Sequence, residues 1–132
     1  MEIPVKIYSE GATALPKYQT AGSAGMDLFA AEEFEFRCGE RKLVSTGVYL
    51  AIPNGHEGQI RSQGKMATKR GLCVLDSPST VSCDFRDEVK VLMINQSQSP
   101  QKIEKGERFA QIVFAPYAKG QIQQVGNKES LG

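Results

Sequence analysis

Side chains able to do chemistry gather in the stretch DSPSTVSCDFRDEVKVLMIN, from Asp76 to Asn95. It holds carboxylates at Asp76, Asp84, Asp87 and Glu88, a hydroxyl at Ser82 and a thiol at Cys83. A carboxylate can take a proton from water at neutral pH, whereas Ser82 cannot without a base of its own. Asp84 lies two residues further on, where a strand points both side chains the same way, so it would serve Ser82 only from an unusual pose. The sole histidine, His56, sits at the Asn54-Gly55 turn with no evident route to Ser82. Cys83 is conceivable as a reactive thiol, but a small buried hydrophobe is the commoner state of such a residue.

The elements that must position these groups follow from the pattern around them. Asp76-Ser77-Pro78 is turn chemistry, Ser79 to Cys83 is a short β-branched arm, Asp84 to Asp87 is polar, and Glu88 to Ile94 is apolar and rich in Val and Ile. That predicts a hairpin whose mouth offers backbone donors and acceptors to a small ligand. Elsewhere the pattern predicts strands over Val5 to Tyr8, Met26 to Ala30, Phe34 to Arg37, Lys42 to Ile52, Gly58 to Arg61, Arg108 to Ala115 and Gln121 to Val125. Lys65 to Arg70 is the one run of helix-forming composition, and Gly71 would end it. Short strands with turn signals between them, and 13 glycines, predict an all-β sandwich or barrel-like fold. Val89 to Ile94 and Phe109 to Phe114 carry apolar residues on both strand faces, which implies a second buried face at a subunit interface.

Size predicts a single domain over residues 1–132. A net charge of +1 argues against a broad nucleic-acid-binding face. No apolar run approaches the roughly 18 residues of a membrane span, and the first residues, MEIPVKIYSE, lack the apolar core of a signal peptide. A cytoplasmic protein is the expectation. Three cysteines, Cys38, Cys73 and Cys83, without Cys-x-x-Cys spacing make a disulfide framework or zinc site unexpected.

The sequence resembles the trimeric dUTP pyrophosphatases over nearly its whole length. Their first motif, Ala-Gly-Tyr/Met-Asp-Leu, is matched by Ala24-Gly25-Met26-Asp27-Leu28, and their fourth, Gly-x-Arg-x-Ala-Gln, by Gly106-Glu107-Arg108-Phe109-Ala110-Gln111. Their second, Arg-Pro-Arg-Ser-Gly-Leu-Ala, falls on Arg61-Ser62-Gln63-Gly64-Lys65-Met66-Ala67. Their third, Gly-x-Ile-Asp-x-x-Tyr-x-Gly-Glu, falls on Ser79 to Glu88, with Val81 for Ile, Ser82 for Asp, Phe85 for Tyr and Asp87 for the second Gly. Their Gly-rich C-terminal arm finds no match in the closing Glu129-Ser130-Leu131-Gly132.

The resemblance implies a β jelly-roll or β-clip, a homotrimer with sites at subunit boundaries, and a nucleotide pocket at Gln63, Gly64, Lys65, Asp76, Val81, Phe85 and Gln111. It gives Asp27 a magnesium role through water, Phe85 a place under the sugar, and Ser82 the position of the general base. Asp76 stands where the family has an Asn that reads uracil, and a carboxylate there meets the uracil carbonyl with like polarity. Gln63 replaces a phosphate-gripping Arg, a charge-assisted contact of about 1.5 to 3 kcal/mol. Lys65 returns a mobile charge nearby, which a solvated surface lysine would equally explain. With no carboxylate at Ser82, the expectation is a homotrimer that no longer hydrolyses dUTP. Such a protein would serve as a scaffold, a binding or regulatory module or an engineered assembly subunit, with no catalytic residue and no required cofactor. The alternative is a divergent, active dUTP diphosphatase using Mg2+. Binding of another nucleotide in the altered pocket is a third reading.

Overall fold

Two four-stranded antiparallel sheets face each other across the core of the computed structural model, which describes residues 1–132. The strands, in chain order, are β1 (Lys6–Ser9), β2 (Met26–Phe29), β3 (Phe34–Phe36), β4 (Arg41–Ala51), β5 (His56–Ser62), β6 (Leu72–Val74), β7 (Ser79–Val81), β8 (Glu88–Asn95), β9 (Gln101–Ile103) and β10 (Arg108–Pro116). A helix, α1 (Gly64–Arg70), joins β5 to β6. One sheet runs β1-β4-β8-β6, the other β2-β10-β5-β7, and β3 pairs with β9 in a small third sheet. The all-β expectation with a short helix stands.

Alternation builds the core. On β8 the residues Val89, Val91, Met93 and Asn95 are buried, while Lys90 between them is exposed. From the facing sheet come Leu28, Ile60, Val81, Ala110 and Ile112, all in the same apolar cluster. Two bulges adjust this pattern. One extra residue on β10 at Phe109, between Arg108 opposite Phe29 and Ala110 opposite Leu28, lets Phe109 and Ala110 both bury. On β4, Ser45 lies opposite Lys90 but Tyr49 opposite Glu88, so the β4 segment is two residues longer than its partner and keeps its inward parity. Gly47 sits in that excursion with φ +70°, and a Cβ there would lie 2.4 Å from the Ala12 amide nitrogen. The Gly47 amide donates to Glu88 Oε2 at 2.9 Å, and the Thr46 hydroxyl donates to the Val89 carbonyl at 2.6 Å.

Several local expectations are corrected. β7 and β8 do not form a hairpin: β7 pairs with β5, and β8 with β4 and β6. The residues between them carry the chain from one sheet to the other, a connection that local pattern cannot distinguish from a hairpin turn. The first arm ends at Val81, and Ser82 to Phe85 form the turn, closed by the Phe85 amide donating to the Ser82 carbonyl at 3.1 Å. Gln121 to Val125 is not a strand, because no neighbouring strand lies beside it; Ile122 is 91% exposed. β6 escapes the pattern altogether, being three residues long directly after the helix cap at Gly71.

Candidate active site

Except for Glu88, which opens β8 in the other sheet, residues of the four motifs lie on or beside the strands of the sheet β2-β10-β5-β7. Across its ladder Asp27 is opposite Gln111, and Gln111 is opposite Arg61, so these three form one row over three strands. Their inward neighbours Leu28, Ala110, Ile112 and Ile60 fill the core, which puts the row on the outer face. The loop before β2 covers one end of it: the Asp27 amide donates to the Lys17 carbonyl at 2.8 Å, and Gln19 Nε2 donates to Asp27 Oδ2 at 2.6 Å. Arg108 Nη1 lies 3.6 Å from the same carboxylate oxygen. Gln111 Nε2 donates to the Ser62 carbonyl at 3.1 Å. Gly25 makes room for that amide, since a Cβ there would lie 2.3 Å from Gln111 Oε1.

Gln63 departs from its expected place facing a phosphate. Its side-chain oxygen accepts the Met66 amide at 2.7 Å and caps α1. A glutamine is not a preferred cap, so nothing in local propensity announces this role. Gly64 and Lys65 open the helix exposed, with open space where a Gly64 Cβ would point. At the helix end Arg70 pairs with Glu107 at 2.6 Å and also donates to the Lys102 carbonyl, tying α1 to the turn before β10.

The third motif divides between core and surface. Val81 is 5% exposed and packs inward, so what it can offer a ligand is backbone. β7 is an edge strand, paired with β5 on one side only, and its outer amides and carbonyls face away from the sheet. Asp76, Ser82, Asp84 and Phe85 are exposed around it. Cys83 turns back toward the core with its Sγ 3.6 Å from the Tyr117 hydroxyl, and that contact, with desolvation, raises the Tyr117 pKa. Glu88, matched by the motif, holds the β4 bulge through Gly47. Sequence reading missed both Glu88's bulge partner and Gln19's hold on Asp27, since neither spacing nor residue type signals a partner tens of residues away or across a loop.

A resident metal does not fit these residues. No three His, Cys, Asp or Glu side chains converge, and the Asp27 carboxylate already serves Gln19 and Arg108. Magnesium asks for six oxygens in near-octahedral array, which triphosphate oxygens and waters supply better than one engaged carboxylate.

The chain folds as an all-β protein of two facing sheets with Asp27, Gln111 and Arg61 in one row on an outer face, and comparison with known proteins gives its family. A family model described as dUTPase matches residues 12–131. The chain is 38% identical over 136 residues to the deoxyuridine 5'-triphosphate nucleotidohydrolase of Anaeromyxobacter sp. (strain Fw109-5), covering 100% of this chain and 92% of that one. It is 48% identical over 116 residues to the protein of the same name from Rhizobium meliloti (strain 1021), covering 85% and 72%. In three dimensions it resembles a mutant dUTPase from phage phi11 of S. aureus, with a TM-score of 0.87 at 19% identity, covering 96% and 99%. That structure is described as revealing the coordination of a structural Mg(II) ion. The chain belongs to the dUTPase family.

The expectation of a silent scaffold is thereby corrected. Relatives 38% and 48% identical over most of the chain are nucleotidohydrolases, which favours the active alternative. The physical reason lies in magnitudes. Losing a general base costs about 10²- to 10⁴-fold, whereas enzymes accelerate such reactions by about 10⁶-fold or more. One hydroxyl in place of a carboxylate leaves most of that acceleration to positioning and electrostatics.

Proposed function

We propose that the chain hydrolyses dUTP, presented as its magnesium complex, to dUMP and pyrophosphate. The observation that carries this reading is its 38% identity, over its whole length, to a deoxyuridine triphosphate nucleotidohydrolase. Water attacks the α-phosphorus, the bond to the α–β bridging oxygen breaks, and its electron pair leaves on pyrophosphate. The exposed Ser82 hydroxyl orients the water, and the proton passes to a phosphate oxygen or to solvent. The outer edge of β7 reads the base through its backbone, Phe85 lies under the sugar, and Gly64 and Lys65 approach the phosphates. Gln111 and Asp27 hold the outer face behind them.

The same reading makes residues 1–132 one domain of a cytoplasmic homotrimer. Support for assembly comes from apolar surface left uncovered in one chain: Leu43 on β4 is 57% exposed, and an apolar groove of about 740 Å³ runs between Val5, Leu15, Met26 and Phe114. His56 also lines this groove, and its Nδ1 is buried with no hydrogen-bond partner. Chromatography of products from dUTP, UTP, dCTP and dTTP tests the activity. dUMP and pyrophosphate from dUTP in preference to the others is the expected result; dUDP and phosphate, or a preference for another nucleotide, would overturn it.

A further inference from the structure

Ser62 holds three parts of the site at once. Its hydroxyl accepts the Val74 amide at 2.9 Å, its carbonyl accepts Gln111 Nε2 at 3.1 Å, and its backbone lies opposite Ala110 in the β5–β10 ladder. Val74 ends β6, which belongs to the opposite sheet, and the next residue, Leu75, donates its amide to the Leu92 carbonyl at 2.9 Å before the chain enters the Asp76 loop. The Ser62–Val74 bond therefore closes the base of the segment carrying Gln63, Gly64, Lys65 and α1, and ties it to the root of the Asp76 loop. The second family motif has proline at this position, and proline offers no side-chain acceptor.

We propose that Ser62 is a positioning residue, fixing the phosphate-facing start of α1 relative to the nucleobase-facing loop at Asp76. It touches no reacting atom and acts through the segments it joins. Because reacting groups lose rate steeply when displaced, with about 10²-fold for 1 Å, loosening this clamp should weaken turnover and nucleotide binding beyond what lost stability explains. The inference rests on the dUTP reading above, so two readouts are needed: dUTP turnover, and affinity for the non-hydrolysable α,β-imido dUTP.

Ser62→Ala, Ser62→Thr and, as a stability reference, Thr46→Val are compared with the unaltered chain. Thr46 makes a buried hydroxyl-to-carbonyl bond on β4 that lies outside the clamp. Ser62→Ala should lower kcat/KM about tenfold or more and weaken imido-nucleotide binding. Ser62→Thr, which keeps the hydroxyl, should restore both, and Thr46→Val should lower the melting temperature without either change. Equal kinetics and affinity in Ser62→Ala and Thr46→Val at matched melting temperature would overturn the inference, as would failure of Ser62→Thr to recover. If the unaltered chain binds the imido nucleotide but turns over no dUTP, the activity reading falls and the affinity ratio alone decides this one. Absence of both overturns both.

Discussion

On the proposed dUTP reading, Ser82 is the residue on which the rate should depend most. It sits exposed in the turn after β7, where the family motif has the carboxylate that takes the water's proton. Restoring that group with Ser82→Asp should raise kcat by about 10²- to 10⁴-fold, measured as pyrophosphate release from dUTP; an unchanged or lower rate would show that proton removal does not limit this enzyme. Asp76→Asn should lower the KM for dUTP, because an amide can donate to a uracil carbonyl and a carboxylate cannot. The motif spacing made a row of side chains legible: Asp27 and Gln111, named from matched motifs, lie with Arg61 in one row on one sheet face. What could not be read was how each side chain is occupied. Gln63 looks like a weakened phosphate ligand in the sequence, yet its oxygen is engaged by the Met66 amide.

Among the elements, α1 and the β4 bulge each answer to single substitutions. Gln63→Ala removes the helix cap and should destabilise the protein by about 0.5 to 2 kcal/mol in denaturant unfolding, with Gln63→Ser largely retaining stability. Gly47→Ala should cost more than the usual surface change, since φ +70° is unfavourable for alanine and the added carbon would meet the Ala12 backbone. The Arg37–Glu40 turn gives an acid-side signature. The Arg37 amide, donating to Glu40 at 2.8 Å, holds that carboxyl below its ordinary 4.5, with Lys42 and Arg37 charges adding to the effect. A depressed carboxylate contributes stability that is present above about pH 4.5 and is lost as pH falls through the lower folded value. Glu40→Gln should therefore lower the melting temperature at neutral pH and converge with the unaltered chain in acid, flattening that part of the pH dependence. The strand runs were legible because alternation is local. Their pairing was not, because β7 and β8 are neighbours in sequence but belong to opposite sheets, and only the packed core decides that.

For the whole molecule, the apolar face at Leu43 and the groove beside His56 belong to surface that a lone chain leaves wet. Sedimentation should give three times the 14.4 kDa of one chain, and a monomer at micromolar concentration would overturn the proposed trimer. The surplus of apolar residues on β8 and β10 leads to the same expectation of a second buried face, and pattern alone does not say how many copies would share it. Hydrolysis is read from the initial rate of pyrophosphate release from saturating dUTP with Mg2+. A turnover above about 0.1 s⁻¹, at or approaching the usual enzyme range of about 1 to 10³ s⁻¹, is the predicted result. No release above the rate without protein would show that this chain does not hydrolyse dUTP.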